Sequence, residues 1–122
     1  MAIKVYCELK VWQKAHKFVL CVYKITKDFP SDEKFALTVQ LRRAVVSVAS
    51  NIVEGFNRNT INDSLRFYNF AQASLEEVKY QLLIARDLNY VSDASYRSSM
   101  ESADEIGKML NGWIKSRMIN KR

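Results

Sequence analysis

The sequence predicts an all-α protein, an up-down-up-down antiparallel four-helix bundle. Three observations carry that prediction. Apolar residues recur at steps of three and four through four stretches of roughly twenty residues or more. The connections between those stretches are only a few residues long. A single proline and three glycines are too few to turn the chain of an all-β fold. At 122 residues the chain makes one domain, 1–122, with room for one core and not for two.

The first helix is expected over residues 9–29. Val11, Ala15, Phe18, Val22, Ile25 and Phe29 form its inward seam, flanked by Trp12, Val19 and Tyr23. Lys10, Lys14, Lys17 and Lys24 fall together on a different face with Cys21 among them, a lysine ridge whose stems lie along the helix. Phe29-Pro30-Ser31 stops this helix, because proline disfavours helical geometry in the residue before it. Ser31 is the expected cap of the second helix, residues 33–55, with Asp32 and Glu33 in its first turn, where the helix dipole favours them.

The second helix is the densest stretch. Leu37, Leu41, Ala44, Val45, Val48, Ile52 and Phe56 make one apolar face, and Val39, Val46 and Val53 a second apolar edge. Gln40, Arg43, Ser47, Asn51 and Glu54 recur as one narrow polar stripe, expected to hold structural or subunit contacts. Glu54 is expected to be satisfied by Arg43 or by a neighbouring chain. A helix apolar around most of its circumference needs a partner beyond its own bundle, such as another subunit. Gly55 is expected to close it in a left-handed conformation.

The third helix, residues 62–88, is expected to be capped by Thr60 or Asn62 and to turn Leu65, Tyr68, Leu75 and Leu82 inward. Small residues Ala71, Ala73 and Ser74 let another helix come close. The fourth, residues 94–118, follows a cap at Ser92 or Asp93 and is plainly amphipathic. Tyr96, Met100, Ala103, Ile106, Leu110, Trp113 and Ile114 face in, while Arg97, Glu101, Asp104, Glu105 and Lys108 face out.

The formal charge of +6 is unevenly placed. Residues 1–27 hold six lysines against Glu8 alone, and Lys115, Arg117, Lys121 and Arg122 crowd the other end. Such a surplus suggests a polyanion, RNA or DNA, or an acidic protein partner. Lys10, Lys14, Lys17 and Lys24 are the first candidates for phosphate contact, with Arg42, Arg58 and the C-terminal basic residues next. Tyr6, Tyr80 and Tyr90 are the aromatics expected to be free for stacking on bases. Cys7 and Cys21 follow no secretory signal and read as reduced thiols, so the expected location is cytoplasmic. No run approaches the ~20 apolar residues of a membrane span.

Nothing in the sequence builds an active site. Three scattered glycines cannot cradle a phosphate, and His16 is the only histidine, which removes multi-histidine metal sites. Glu76-Glu77 lacks the Glu-x-x-His partners of a di-iron bundle, and Glu54 with Asn51 lacks a nucleophile. No catalytic residue, metal or cofactor is assigned, and the chain is expected not to be an enzyme.

Leu9–Lys17 (LKVWQKAHK), the Phe29-Pro30 turn, Gln40–Val48 (QLRRAVVSV), Asn51–Gly55 (NIVEG) and Ser74–Ala85 (SLEEVKYQLLIA) stand in order. Together, over about residues 5–91, they closely resemble the bacterial four-helix-bundle family encoded within intervening sequences of large-subunit (23S) ribosomal RNA genes. That resemblance implies a small bundle assembling into a homo-oligomeric ring, typically a pentamer, with no enzymatic activity. Its relatives include the accessory protein of diversity-generating retroelements, which implies contacts with nucleic acid and with a reverse transcriptase. A scaffold that docks such a protein partner is therefore the alternative to direct nucleic-acid binding. Ala49 stands where many members carry proline, implying a second helix without a kink there.

Overall fold

In a computed structural model of the chain, residues 3–119 are described. Four helices account for most of them: α1 (Lys10–Thr26), α2 (Leu37–Phe56), α3 (Ile61–Asp87) and α4 (Asp93–Ile119). Successive helices run antiparallel. α1 packs on α2 and α4, and α3 packs on the same two, so the bundle is square with no diagonal contact between α1 and α3. The α2–α3 pair is the most extensive. Short 3-10 turns at Tyr6–Glu8 and Ser31–Glu33 precede α1 and α2.

The predicted seams are the core. Val11, Ala15, Phe18 and Val22 of α1, Leu41, Val45, Val48 and Ile52 of α2, Leu75, Val78 and Leu82 of α3, and Ile106 and Leu110 of α4 are all buried. Burying a Val or Leu side chain stabilises by about 1.5–3 kcal/mol before the cost of ordering it.

The ends of the helices depart from expectation where side chains compete with the helix. α1 stops at Thr26, not Phe29. Asp28 N–H bonds back to the Ile25 carbonyl at 3.3 Å and Phe29 N–H to the Thr26 carbonyl at 3.2 Å, and these tight turns swing Phe29 into the core. Pro30 forbids the helical alternative. α2 starts at Leu37 with Ala36 at its N-cap, and the side chain that meets its first N–H is Glu33, not the expected cap Ser31. One Glu33 oxygen accepts the Leu37 N–H at 3.3 Å and the other accepts the Tyr90 hydroxyl at 2.7 Å. Donating to that carboxylate holds the Tyr90 phenol above its ordinary range. α2 then runs unbroken through Ala49.

Gly55 is not a left-handed terminator. No glycine among the described residues has positive φ, and Gly55 lies buried inside the last turn of α2. Its missing side chain is the space occupied by the Tyr68 ring of α3, which a Cβ would overlap. The one left-handed residue is Asn89, with φ 63°. It ends α3 in a Schellman arrangement, with Tyr90 N–H on the Ala85 carbonyl at 2.8 Å and Asn89 N–H on Arg86 at 2.9 Å. Thr60 caps α3 by accepting the Asp63 N–H at 3.2 Å, and Ser92 caps α4 by accepting the Ser95 N–H at 3.1 Å.

Candidate nucleic-acid interface

Each of the ridge lysines borders the seam between α1 and α4. Lys10 lies beside Met109, Gly112, Trp113 and Ser116 at one end. Lys14 and Lys17 line its middle with Cys21, Ser102 and Glu105. Lys24 stands at the other end by Tyr90, Ser92 and Ser95. The helix places them there because positions 10, 14, 17 and 24 fall on one flank, next to the buried seam of α1 and away from α2. All four are exposed, strung along about 21 Å of helix axis at 1.5 Å per residue.

Only one of them is neutralised across the seam. Lys14 Nζ sits 3.1 Å from Glu105 Oε1, with both side chains about half exposed. An exposed pair of this kind contributes little, typically about 0–1 kcal/mol, and gives way to a stronger anion. The opposite wall carries hydroxyls: Ser95, Ser102 and Ser116 sit on α4 at steps of seven and fourteen, with Met109 at the heptad position between, a spacing that puts them on one side of the helix. What the arrangement can do chemically is hold a polyanion backbone with ammonium groups on one side and hydroxyls on the other.

The other two candidates are elsewhere and are engaged. Arg42 bridges α2 to α1: its Nε donates to Thr26 Oγ1 at 2.8 Å and its Nη2 to the Tyr23 carbonyl at 3.3 Å. Its guanidinium lies 4.6 Å above the Tyr23 ring. Arg58 folds back on the end of α2, donating to the Glu54 carbonyl at 3.1 Å and to Glu54 Oε2 at 2.8 Å, 4.6 Å over Phe67. Arg117 lies 5.8 Å over Trp113, Lys115 is exposed on α4, and Lys121 and Arg122 lie outside the described residues.

The polar stripe of α2 faces α3. Ser47 Oγ and Ser74 Oγ share a hydrogen bond of 2.8 Å, and Asn51 Nδ2 donates to the Ser47 carbonyl at 2.9 Å and hydroxyl at 3.0 Å. Glu54 is satisfied by Arg58, not by Arg43. Four residues along a helix bring side chains together, whereas Arg43 is three turns, about 16 Å, away. The Gln40 and Arg43 side chains are exposed and make no hydrogen bond or ion pair among the described residues.

Of the aromatics expected to be free, Tyr6 packs edge-on against Trp12 at 5.0 Å and Tyr90 is tied to Glu33. Tyr80 alone of the three is exposed, on α3 and remote from the lysines. His16 stacks on Trp12 at 5.1 Å. Among the described residues no group of three His, Cys, Asp or Glu side chains is placed to hold a metal ion, and no helix is long and apolar enough to cross a membrane.

The model of the 23S rRNA-intervening sequence protein family matches residues 7–112. The chain belongs to that family. A solved structure from Bacteroides thetaiotaomicron, described as a protein of unknown function from the S23 ribosomal protein family, superposes with a TM-score of 0.80 at 25% identity. The match covers 86% of this chain and 95% of that one. No curated protein matches the sequence. The family match reaches into α4, to residue 112, beyond the quoted motifs.

Proposed function

We propose that this 23S rRNA-intervening sequence family member is a non-enzymatic, cytoplasmic, homo-oligomeric bundle, with a pentameric ring as its assembly, that binds nucleic acid along the α1–α4 seam. One observation carries the reading: Lys10, Lys14, Lys17 and Lys24 line one flank of α1, at three successive hollows that each also hold an α4 serine. The family's description by a ribosomal RNA sequence makes RNA the polyanion to try first. Contacts of this kind are phosphate-directed, salt-dependent and weakly sequence-selective.

The test compares the wild type with a variant carrying Lys10→Glu, Lys14→Glu, Lys17→Glu and Lys24→Glu, both titrated with fluorescent mixed RNA at several salt concentrations. The wild type is expected to bind with a log–log salt slope of about −3, from ~0.7 per single-strand phosphate contact. The variant is expected to lose binding. Equal affinity in the two proteins would overturn the assignment.

A second reading draws on the same basic flank: a protein-interaction scaffold, docking an acidic surface of a partner such as a reverse transcriptase through charge complementarity. If the charge-reversed variant keeps RNA affinity while losing such a partner, the scaffold reading replaces the first.

A further inference from the structure

Large apolar side chains are exposed on the outer side of α2 and α3, as also at Leu20 and Tyr23 of α1 and at Phe35 before α2. Val46 of α2 is 38% exposed, and Phe70 and Tyr80 of α3 are 50% and 64% exposed. On α4 no large apolar side chain is exposed before Met118 at its end. Between Val46 and Phe70 lies a floor of small side chains, Ser50 and Ala73 exposed and the bonded Ser47–Ser74 pair half-buried.

Two opposite charges stand on this floor unused. Arg43 is exposed and unpaired among the described residues. Glu77 is exposed and receives only the Gln81 side-chain amide, at 3.2 Å within its own helix. The two sit on adjacent helices, yet no ion pair joins them. A patch of small and apolar side chains that holds one cation and one anion, neither in an ion pair among the described residues, carries the complement of its own charges. A phosphate backbone would meet Glu77 and an apolar surface, so the patch does not suit nucleic acid.

We infer that the outer face of α2 and α3 is the contact surface for a second copy of this chain, with Arg43 of one copy pairing with Glu77 of the next. This rests on the homo-oligomeric reading above and adds the surface that reading lacks: a head-to-tail contact, the α2 edge of one copy on the α3 edge of the next, which can repeat around a ring. Burial of Val46, Phe70 and Tyr80 supplies the affinity, and the charge pair sets the register. Val39, Val46 and Val53, which a lone bundle leaves at its edge, then have a covering.

The experiment measures light-scattering mass at one protein concentration for the wild type, Arg43→Glu, Glu77→Arg, Phe70→Ser and the double charge swap Arg43→Glu/Glu77→Arg. Circular dichroism checks that each variant keeps its helices. The wild type is expected to be a multimer, and each single variant to weaken assembly at least about tenfold. The double swap is expected to recover the larger mass, because the exchanged charges still meet across copies. A multimeric wild type whose mass none of the single variants changes overturns this surface and leaves the homo-oligomeric reading standing. A monomeric wild type overturns that reading, and this surface with it. If both single charge variants dissociate and the double swap stays dissociated, the Arg43–Glu77 pair is wrong.

Discussion

The α2–α3 seam and the α1–α4 seam are built by opposite rules. At α2–α3, small residues bring the backbones together: Gly55 admits the Tyr68 ring and Ser47 meets Ser74 directly. Ser64 Oγ closes the same seam by donating to the Gly55 carbonyl at 2.7 Å. The outer surface over this seam is apolar. At α1–α4, long lysines and α4 serines leave an open groove, and a Cβ at Gly112 would meet nothing within 4 Å. One seam is closed and presents apolar surface outward; the other is open and charged. The difference shows how a bundle with one continuous core can offer two surfaces suited to different partners.

The largest effect expected from breaking this contrast is at Gly55. Gly55→Ala gains helix propensity but drives a methyl into the buried Tyr68 ring, and should destabilise by about 2 kcal/mol in urea unfolding. The same change at Gly112, in open exposed helix, should stabilise by roughly 0.5–1 kcal/mol. Equal effects at the two sites would mean the seams are packed alike.

The adjacent arginines sharpen the contrast at intermediate size. Arg42→Ala removes two hydrogen bonds and a stacked ring and should cost about 1–2 kcal/mol. Arg43→Ala should stay within about 0.5 kcal/mol for the dissociated chain. Denaturant midpoints at low protein concentration check both.

The smallest effect concerns α3–α4. Lys79 bonds Asp104 at 2.9 Å, and that hydrogen bond raises the lysine above its ordinary value. A raised folded value means the pair stabilises fully below the unfolded lysine value of about 10.4 and loses this as pH climbs through the folded one. The pair is solvent-accessible, so a few tenths of a kcal/mol are expected. The stability gap between wild type and Asp104→Asn should therefore shrink from about pH 9 to pH 12.

Much of this was legible in the sequence. Steps of three and four marked the four helices and their seams, the Phe29-Pro30 pair marked the first turn, and Thr60 and Ser92 were readable as caps. The lysine flank was legible too, since four positions on one helix share a side whatever surrounds it. Periodicity says which residues point together; it does not say which neighbour lies on that side. Arg42 and Arg43 are 100° apart on one helix, and only the placement of α1 beside α2 turned Arg42 onto Tyr23 and Thr26 and left Arg43 outside. In the sequence Gly55 reads as a helix terminator, because its partner, Tyr68, is 13 residues away and reaches it only across a packed pair of helices. Glu33, not Ser31, meets the first N–H of α2 for the same reason: its second oxygen is held by Tyr90, a contact between residues 57 apart that exists only once the bundle has closed.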